Sequence, residues 1–310
     1  MPGPSRTTRR PAVAGRFYPA DEAQCTSTAR QFVRVSADVA AATGKTWRGA
    51  IVPHAGWMFS GAIAGEAIGT LKAARDAANA PPPQVVVVFG AVHTPIRLDR
   101  AAMDAHERWS VPGGESDVSG ELSRRLAADE SAMFAVDPRF HEREHAVEVE
   151  LPLIQQAWPD ALLMPIEVPL IDEAAAIGRT VARQVAREKL DAVYLASSDL
   201  THYGPDFSFV PGGAGATGLK WAKDNDRRLL DVVAAMRIEA VVPEVRARAN
   251  ACGGGAIAAM LAACREHGAG GSAGDVRVLR HETSDDVMQR VAPAQRSDNA
   301  VGYAGVVVGG

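Results

Sequence analysis

The sequence predicts an α/β fold, a sandwich of helices about a central, largely parallel or mixed sheet, in a single domain over residues 1–310. Three observations point there. Short valine-rich runs are continuously apolar rather than alternating, QVVVVFG at 84–90 above all, as expected of strands covered on both faces. Longer stretches with helical periodicity separate these runs, giving a β-α-β-α order without a compositional break. The chain has 310 residues, 47% of them apolar, which is enough for a substantial core.

Taken in order, the first strand is expected at 50–53, where Pro53 ends it and fixes the exit of the chain. A helix follows at 61–77; its opening GAIAGEAIG is rich in small residues, and each internal glycine costs about 1 kcal/mol relative to alanine, so close packing on the sheet takes precedence over propensity. Strands at 84–90, 161–166 and 192–196 are read from their apolar runs, with two more at 276–279 and 300–308. Helical patterns fill 118–128, 146–158, 173–187, 218–236 and 254–267. The Gly/Pro-rich patches at 78–83 and 209–218 read as surface loops.

Composition excludes several classes. A net charge of -4 with no basic run argues against a nucleic-acid surface. No apolar run approaches the roughly 20 residues a membrane helix needs. The Arg9-Arg10 pair is followed by an apolar stretch broken at Gly15 and Arg16, short of the roughly 7–15 residues of a signal peptide, so a cytoplasmic location is expected. Cys25, Cys252 and Cys264 are odd in number and widely spread, which argues against a disulfide framework.

Ligands of open α/β sheets bind at the carboxyl ends of strands. Three polar loops follow three of the expected strands and bring His54, His93, and the run Ser197-Ser198-Asp199-Leu200-Thr201-His202. One such histidine reads more readily as an ordinary hydrogen-bonded loop residue; three among eight histidines are harder to dismiss. If the strands are neighbours, these side chains share one rim. NACGGGAIAAML at 250–261 places Cys252 before a small-residue helix, whose dipole would favour the thiolate as ligand or nucleophile; the alternative is a buried structural thiol. Cys25 and Cys264 read as core.

HEREH at 141–145 matches the zinc-protease pattern, but His141 follows the turn-like Asp137-Pro138-Arg139-Phe140 and no downstream completion appears. On a helix, Glu144 and Glu148 would share one face and could orient ligands. A GxSxG elbow and a phosphate loop are absent, and GGAGATG at 212–218 follows no strand.

Together RRPAVAGRFYP (9–19), VPHAGWMFSG (52–61), VVFGAVHTP (87–95), EHAVEVELPLI (144–154), SSDLTHYG (197–204) and ACGGGAIAAML (251–261) resemble the Memo-like family, whose bacterial and archaeal members are often called AmmeMemoRadiSam system protein B. That family is structurally similar to class III non-heme iron extradiol dioxygenases. The resemblance implies one metal ion held by His54, His93 and Cys252, with His202 as acid/base, Asp199 beside it, and Glu144 and His145 lining the site. Trp57 is expected as an apolar wall or as plain core packing. Fe(II) is the ion the resemblance implies; a cysteine in place of the usual carboxylate favours copper or zinc and puts ring cleavage in doubt.

Three functions are therefore expected to compete. The first is metal-dependent redox or dioxygenase-type activity on a small molecule. The second is a non-catalytic adaptor that binds a peptide or a partner, such as the radical-SAM and AMMECR-type proteins the system name implies. The third is a thiol enzyme built on Cys252 with His202 as base.

Overall fold

The computed structural model describes residues 7–35, 46–272, 274–293 and 297–310. Its elements in chain order are β1 (Thr8–Arg9), α1 (Glu22–Phe32), β2 (Trp47–Val52), α2 (Gly61–Ala77), β3 (Val85–Gly90), β4 (Ala101–Met103), β5 (Arg108–Val111), β6 (Gly114–Asp117), α3 (Gly120–Ala127) and β7 (Phe134–Val136). There follow α4 (Leu151–Ala157), β8 (Leu162–Glu167), α5 (Ala174–Arg187), β9 (Ala192–Ser197), β10 (His202–Tyr203), α6 (Gly215–Ala234), α7 (Ile238–Arg248), α8 (Gly254–Glu266), β11 (Val276–Thr283), α9 (Ser284–Val291) and β12 (Ala300–Gly309).

Nine strands form the central mixed sheet, in the order β10-β12-β2-β9-β3-β8-β4-β7 with β11 also paired to β12. Its centre, β2-β9-β3-β8, is parallel, and β12 runs antiparallel to β2. Strands β1, β5 and β6 make a small second sheet.

The valine run of β3 shows why an unbroken apolar pattern codes for a central strand. Successive side chains point to opposite faces. Val85 and Val87 enter one core, where Ile177 and Val181 of α5 and Ile257 and Leu261 of α8 cover the sheet. Val86 and Val88 enter the other, beneath Ile68 and Leu71 of α2 and Leu153 of α4. All four valines are fully buried, and each contributes about 1.5–3 kcal/mol on that account. The sandwich is thus α/β/α, as the sequence predicts.

The helix expected over 146–158 is shorter than its amphipathic pattern. A 3-10 turn at Glu148–Glu150 precedes α4, which starts at Leu151 with Pro152 in its first turn, where a missing N–H is tolerated. Consequently HEREH is not helical: His141 ends a separate 3-10 turn at Pro138–Phe140, and Glu144 and Glu148 do not share a helix face. Helices α1, α7 and α9 and the short strands β1, β4 to β7 and β10 go unsignalled in the sequence reading. Among the described residues, no helix is long and apolar enough to cross a membrane.

Candidate metal centre

The parallel register aligns three strand ends. Val52 of β2 and Gly90 of β3 both pair with Ser197 of the intervening β9, so the loops that follow leave the sheet at one level. Pro53 then delivers His54, and Ala91-Val92 delivers His93. Cys252 arrives from the opposite direction, just before α8, whose N-terminus lies hard against the sheet. A Cβ on Gly253 would come within 2.8 Å of the Ser197 carbonyl oxygen, and one on Gly255 within 2.1 Å of the Pro169 carbonyl oxygen. Ligand atoms of His54, His93 and Cys252 all lie within 4.8 Å of one another. Cys252 Sγ is 3.4 Å from His54 Nε2.

Hydrogen bonds set the tautomers. The Ser197 hydroxyl donates to the Ala146 carbonyl at 2.6 Å, so its oxygen is free to accept from His54 Nδ1, 2.9 Å away. With the proton on Nδ1, the lone pair of His54 Nε2 faces Cys252. Glu144 does the same for His93: Oε1 accepts from the ring Nδ1 at 2.8 Å and Oε2 from the backbone N–H at 2.6 Å. Its Oε1 also takes the backbone N–H groups of His145 and Ala146 at 2.8 and 3.2 Å. A carboxylate behind a histidine fixes the ring and raises its basicity as a ligand.

The run at 197–202 is explained residue by residue. Ser198 Oγ accepts from Gly253 N at 2.9 Å and so ties the loop carrying Cys252 to the end of β9. Asp199 Oδ1 accepts from the backbone N–H of His54 at 2.9 Å, and the Asp199 carbonyl accepts from Cys252 N at 3.2 Å. Asp199 therefore braces His54 and Cys252 and does not orient His202, whose Nδ1 donates instead to the Leu200 carbonyl at 3.2 Å. The charge of His202 lowers His54, and that of His93 lowers His202.

Burial dominates the electrostatics. It drives His54 well below the usual imidazole range, helped by the charges of His145, His93 and His202. It likewise lowers His202 and raises Cys252, whose thiol a hydrogen bond from His93 pulls partly back; against burial, the protein's own groups do not favour the helix-terminus thiolate expected from the sequence. His93 goes the other way. Burial opposes its charge, but hydrogen bonds to Cys252 and Glu144 outweigh burial and raise it. Asp199 is pushed up to about 7 by burial, against the pull of the His54 amide.

His145, expected to line the site, packs against it: its ring centroid lies 4.6 Å from that of His93 and 5.2 Å from that of His54. Trp57 does not reach the histidines. Its indole packs between Tyr18 and Phe32 and donates to the Val149 carbonyl at 3.1 Å, which is core packing. Glu148 lies apart from Glu144, receiving Tyr18 Oη, the amides of Ala12 and Val13, and the Arg9 guanidinium. This anchors the segment that lays Phe17 on His145, with centroids 4.7 Å apart. Phe17, and the part played by Ser197, escape the sequence reading because only the fold brings them to the histidines.

Fold and donor group together define an α/β protein with a metal-capable site at the carboxyl rim of its sheet. Residues 9–307 match the family described as Memo-like protein. A MEMO1 family protein of Methanococcoides burtonii is 30% identical over 97% of this chain and 99% of its own length. Another, from Thermococcus onnurineus, is 30% identical over 96% of this chain and 98% of its own length. The chain belongs to the Memo-like family. A solved structure, that of an uncharacterized protein from Escherichia coli K12, is similar with a TM-score of 0.49 at 13% identity, covering 85% of this chain and 100% of that one; a likeness of that degree carries no inference.

Proposed function

We propose that this protein holds one metal ion between His54, His93 and Cys252 and uses it in redox or dioxygenase-type chemistry on a small molecule. One observation carries the reading: two imidazoles and one thiol have their donor atoms within 4.8 Å of one another, and both imidazoles have Nδ1 engaged, leaving Nε2 to bind. The donor set fits an ion of intermediate softness, Fe(II) first by family resemblance, with copper and zinc as alternatives that a thiolate suits. When bound, iron or copper would supply one-electron chemistry with dioxygen.

The protein's own groups divide the remaining work. Ser197 and Glu144 hold the two histidines in the binding tautomer. Asp199 and Ser198 hold the backbones that present His54 and Cys252. His202, its Nδ1–H committed to Leu200 and its charge suppressed by burial, offers Nε2 as a proton acceptor. The high thiol pKa of Cys252 favours ligand over free nucleophile, since without a cation it stays protonated.

A second reading, a binding protein for a peptide or for partners of radical-SAM or AMMECR type, is favoured by the exposed apolar side chains on the loops of this rim. Met58 follows β2, Ile96 follows β3, Leu170 follows β8, and Phe207 and Val210 follow β10. Metal analysis by mass spectrometry after anaerobic purification, wild type beside Cys252→Ser, separates the two. About one equivalent of iron or copper, lost in the variant, supports the redox reading. No metal even after reconstitution removes it and leaves the binding reading.

A further inference from the structure

We propose that His145 is an additional ligand of this metal centre, giving a four-coordinate site of three imidazoles and one thiolate. The inference rests on the metal reading above and adds a residue to it. Two triads of potential ligands overlap here: His54, His93 and Cys252 form one, and His93, Glu144 and His145 the other, each with its donor atoms within 4.8 Å. They share His93. Glu144 is already committed, by four hydrogen bonds, to holding His93 and the chain at 145–146. His145 turns its Nδ1 toward Glu144 Oε1, 3.3 Å away, which leaves its Nε2 as the donor of the second triad without a hydrogen bond among the described residues.

The three rings are arranged as ligands of one ion would be. An ion of zinc type sits about 2.0–2.1 Å from an imidazole nitrogen, so ring centres lie about 3.2 Å from the ion and, at tetrahedral angles, about 5 Å from one another. Here the centroid separations are 5.1 Å for His54 and His93, 5.2 Å for His54 and His145, and 4.6 Å for His93 and His145. Cys252, 3.4 Å from His54 Nε2, supplies the fourth corner. The backbone of His145 is pinned by the same carboxylate that orients His93, and Phe17 covers its ring from outside. The His145 ring would turn about this fixed backbone to join His54, His93 and Cys252.

Four protein ligands make a closed coordination shell, whereas three leave a position open. With His145 bound the shell would be closed, and access to the ion would require this ring to move aside.

The test uses full-length protein loaded with Co(II), in wild type, His145→Ala, His145→Gln and Cys252→Ser. Wild type is expected to show the intense visible bands of four-coordinate Co(II) together with a thiolate charge-transfer band. His145→Ala and His145→Gln keep the charge-transfer band, lose intensity in the visible bands, and bind Co(II) about 10–100-fold more weakly in chelator competition. Spectrum and affinity unchanged in both His145 variants overturn the inference while the metal reading stands. Failure of wild type to bind Co(II), Zn(II) or Fe(II) overturns both. Melting curves of the metal-free proteins identify a variant that fails to fold, and the glutamine variant, closer in size, then decides.

Discussion

At the scale of single side chains, Ser197 does more than its size suggests. Its hydroxyl hydrogen is spent on the Ala146 carbonyl, which obliges the His54 ring to donate from Nδ1 and present Nε2. Ser197→Ala removes that constraint and leaves a buried N–H without its acceptor. Metal affinity is expected to fall about 10–100-fold, while the metal-free protein loses only about 1–3 kcal/mol. Chelator competition beside denaturant unfolding measures both, and unaltered affinity would mean that Ser197 does not set the tautomer. Glu144→Gln is expected to act in the same direction on His93, because an amide accepts less strongly and can turn its NH2 toward the ring. Binding also displaces a proton. Burial raises the Cys252 thiol, so it is protonated at neutral pH and must ionise to bind. Apparent metal affinity should therefore climb with pH, by up to about tenfold per unit for each proton released, and Cys252→Ser should reduce that slope to the part left by His93, which is also raised and must shed a proton to bind.

At the scale of elements, the site depends on how closely α8 approaches the end of the sheet. Gly255→Ala would set a methyl group 2.1 Å from the Pro169 carbonyl oxygen, a backbone atom with little room to yield. The expected cost is about 1–3 kcal/mol or more, with metal affinity falling as the Cys252 loop is pushed outward. Gly120→Ala, at the start of α3 with nothing within 4 Å of the new methyl, should be neutral or slightly stabilising. Equal melting temperatures for the two variants would show that this close packing is dispensable. The same elements show what a sequence encodes legibly. Strands β3, β8 and β9 announce themselves because both faces are covered and no polar residue interrupts the run. The chemistry-bearing loops after β2, β3 and β9 are legible for a related reason, since polar residues stand out against apolar strands. By contrast β1, β4 and β7 are two or three residues long, too short to show a period, and come into being by pairing with distant partners. The pattern EHAVEVELPLI overstates its helix because Pro152 sets the start of α4 and leaves Glu144 and His145 in the irregular chain that faces the metal ligands.

At the scale of the molecule, the same burial that makes the fold stable also encloses ionisable groups. Glu150 and Glu167 are fully buried, and none of their four carboxyl oxygens has a hydrogen-bond partner among the described residues. Glu167 ends β8 beside the equally buried His141, with Oε1 and Nδ1 3.8 Å apart. His141 is lowered by burial, and its Nε2 donates to the Ala102 carbonyl at 3.1 Å, so its Nδ1 stays bare. Desolvation raises both glutamates well above the ordinary range, with the charge of Asp199 adding to Glu150 and that of Glu144 to Glu167. That direction favours the protonated carboxyl in the folded state, against a Ser197 contact that pulls Glu150 partly back, whereas the unfolded chain ionises at neutral pH. The sign follows from that difference. The stability contributed by a raised carboxyl is fully present below its unfolded pKa of about 4.3 and is lost as pH rises toward the folded value, by about 1.4 kcal/mol per unit for each proton retained. Glu167→Gln, which keeps the shape and cannot ionise, is expected to unfold at higher denaturant than wild type at about pH 8 and to lose most of that advantage at about pH 5. The reverse trend, or a gain independent of pH, would mean that Glu167 is ionised in the fold and pairs with a charge such as a protonated His141. If the expected trend holds, the contribution of these two carboxyls to stability should be greatest below about pH 4, where both retain their protons in the unfolded chain as well.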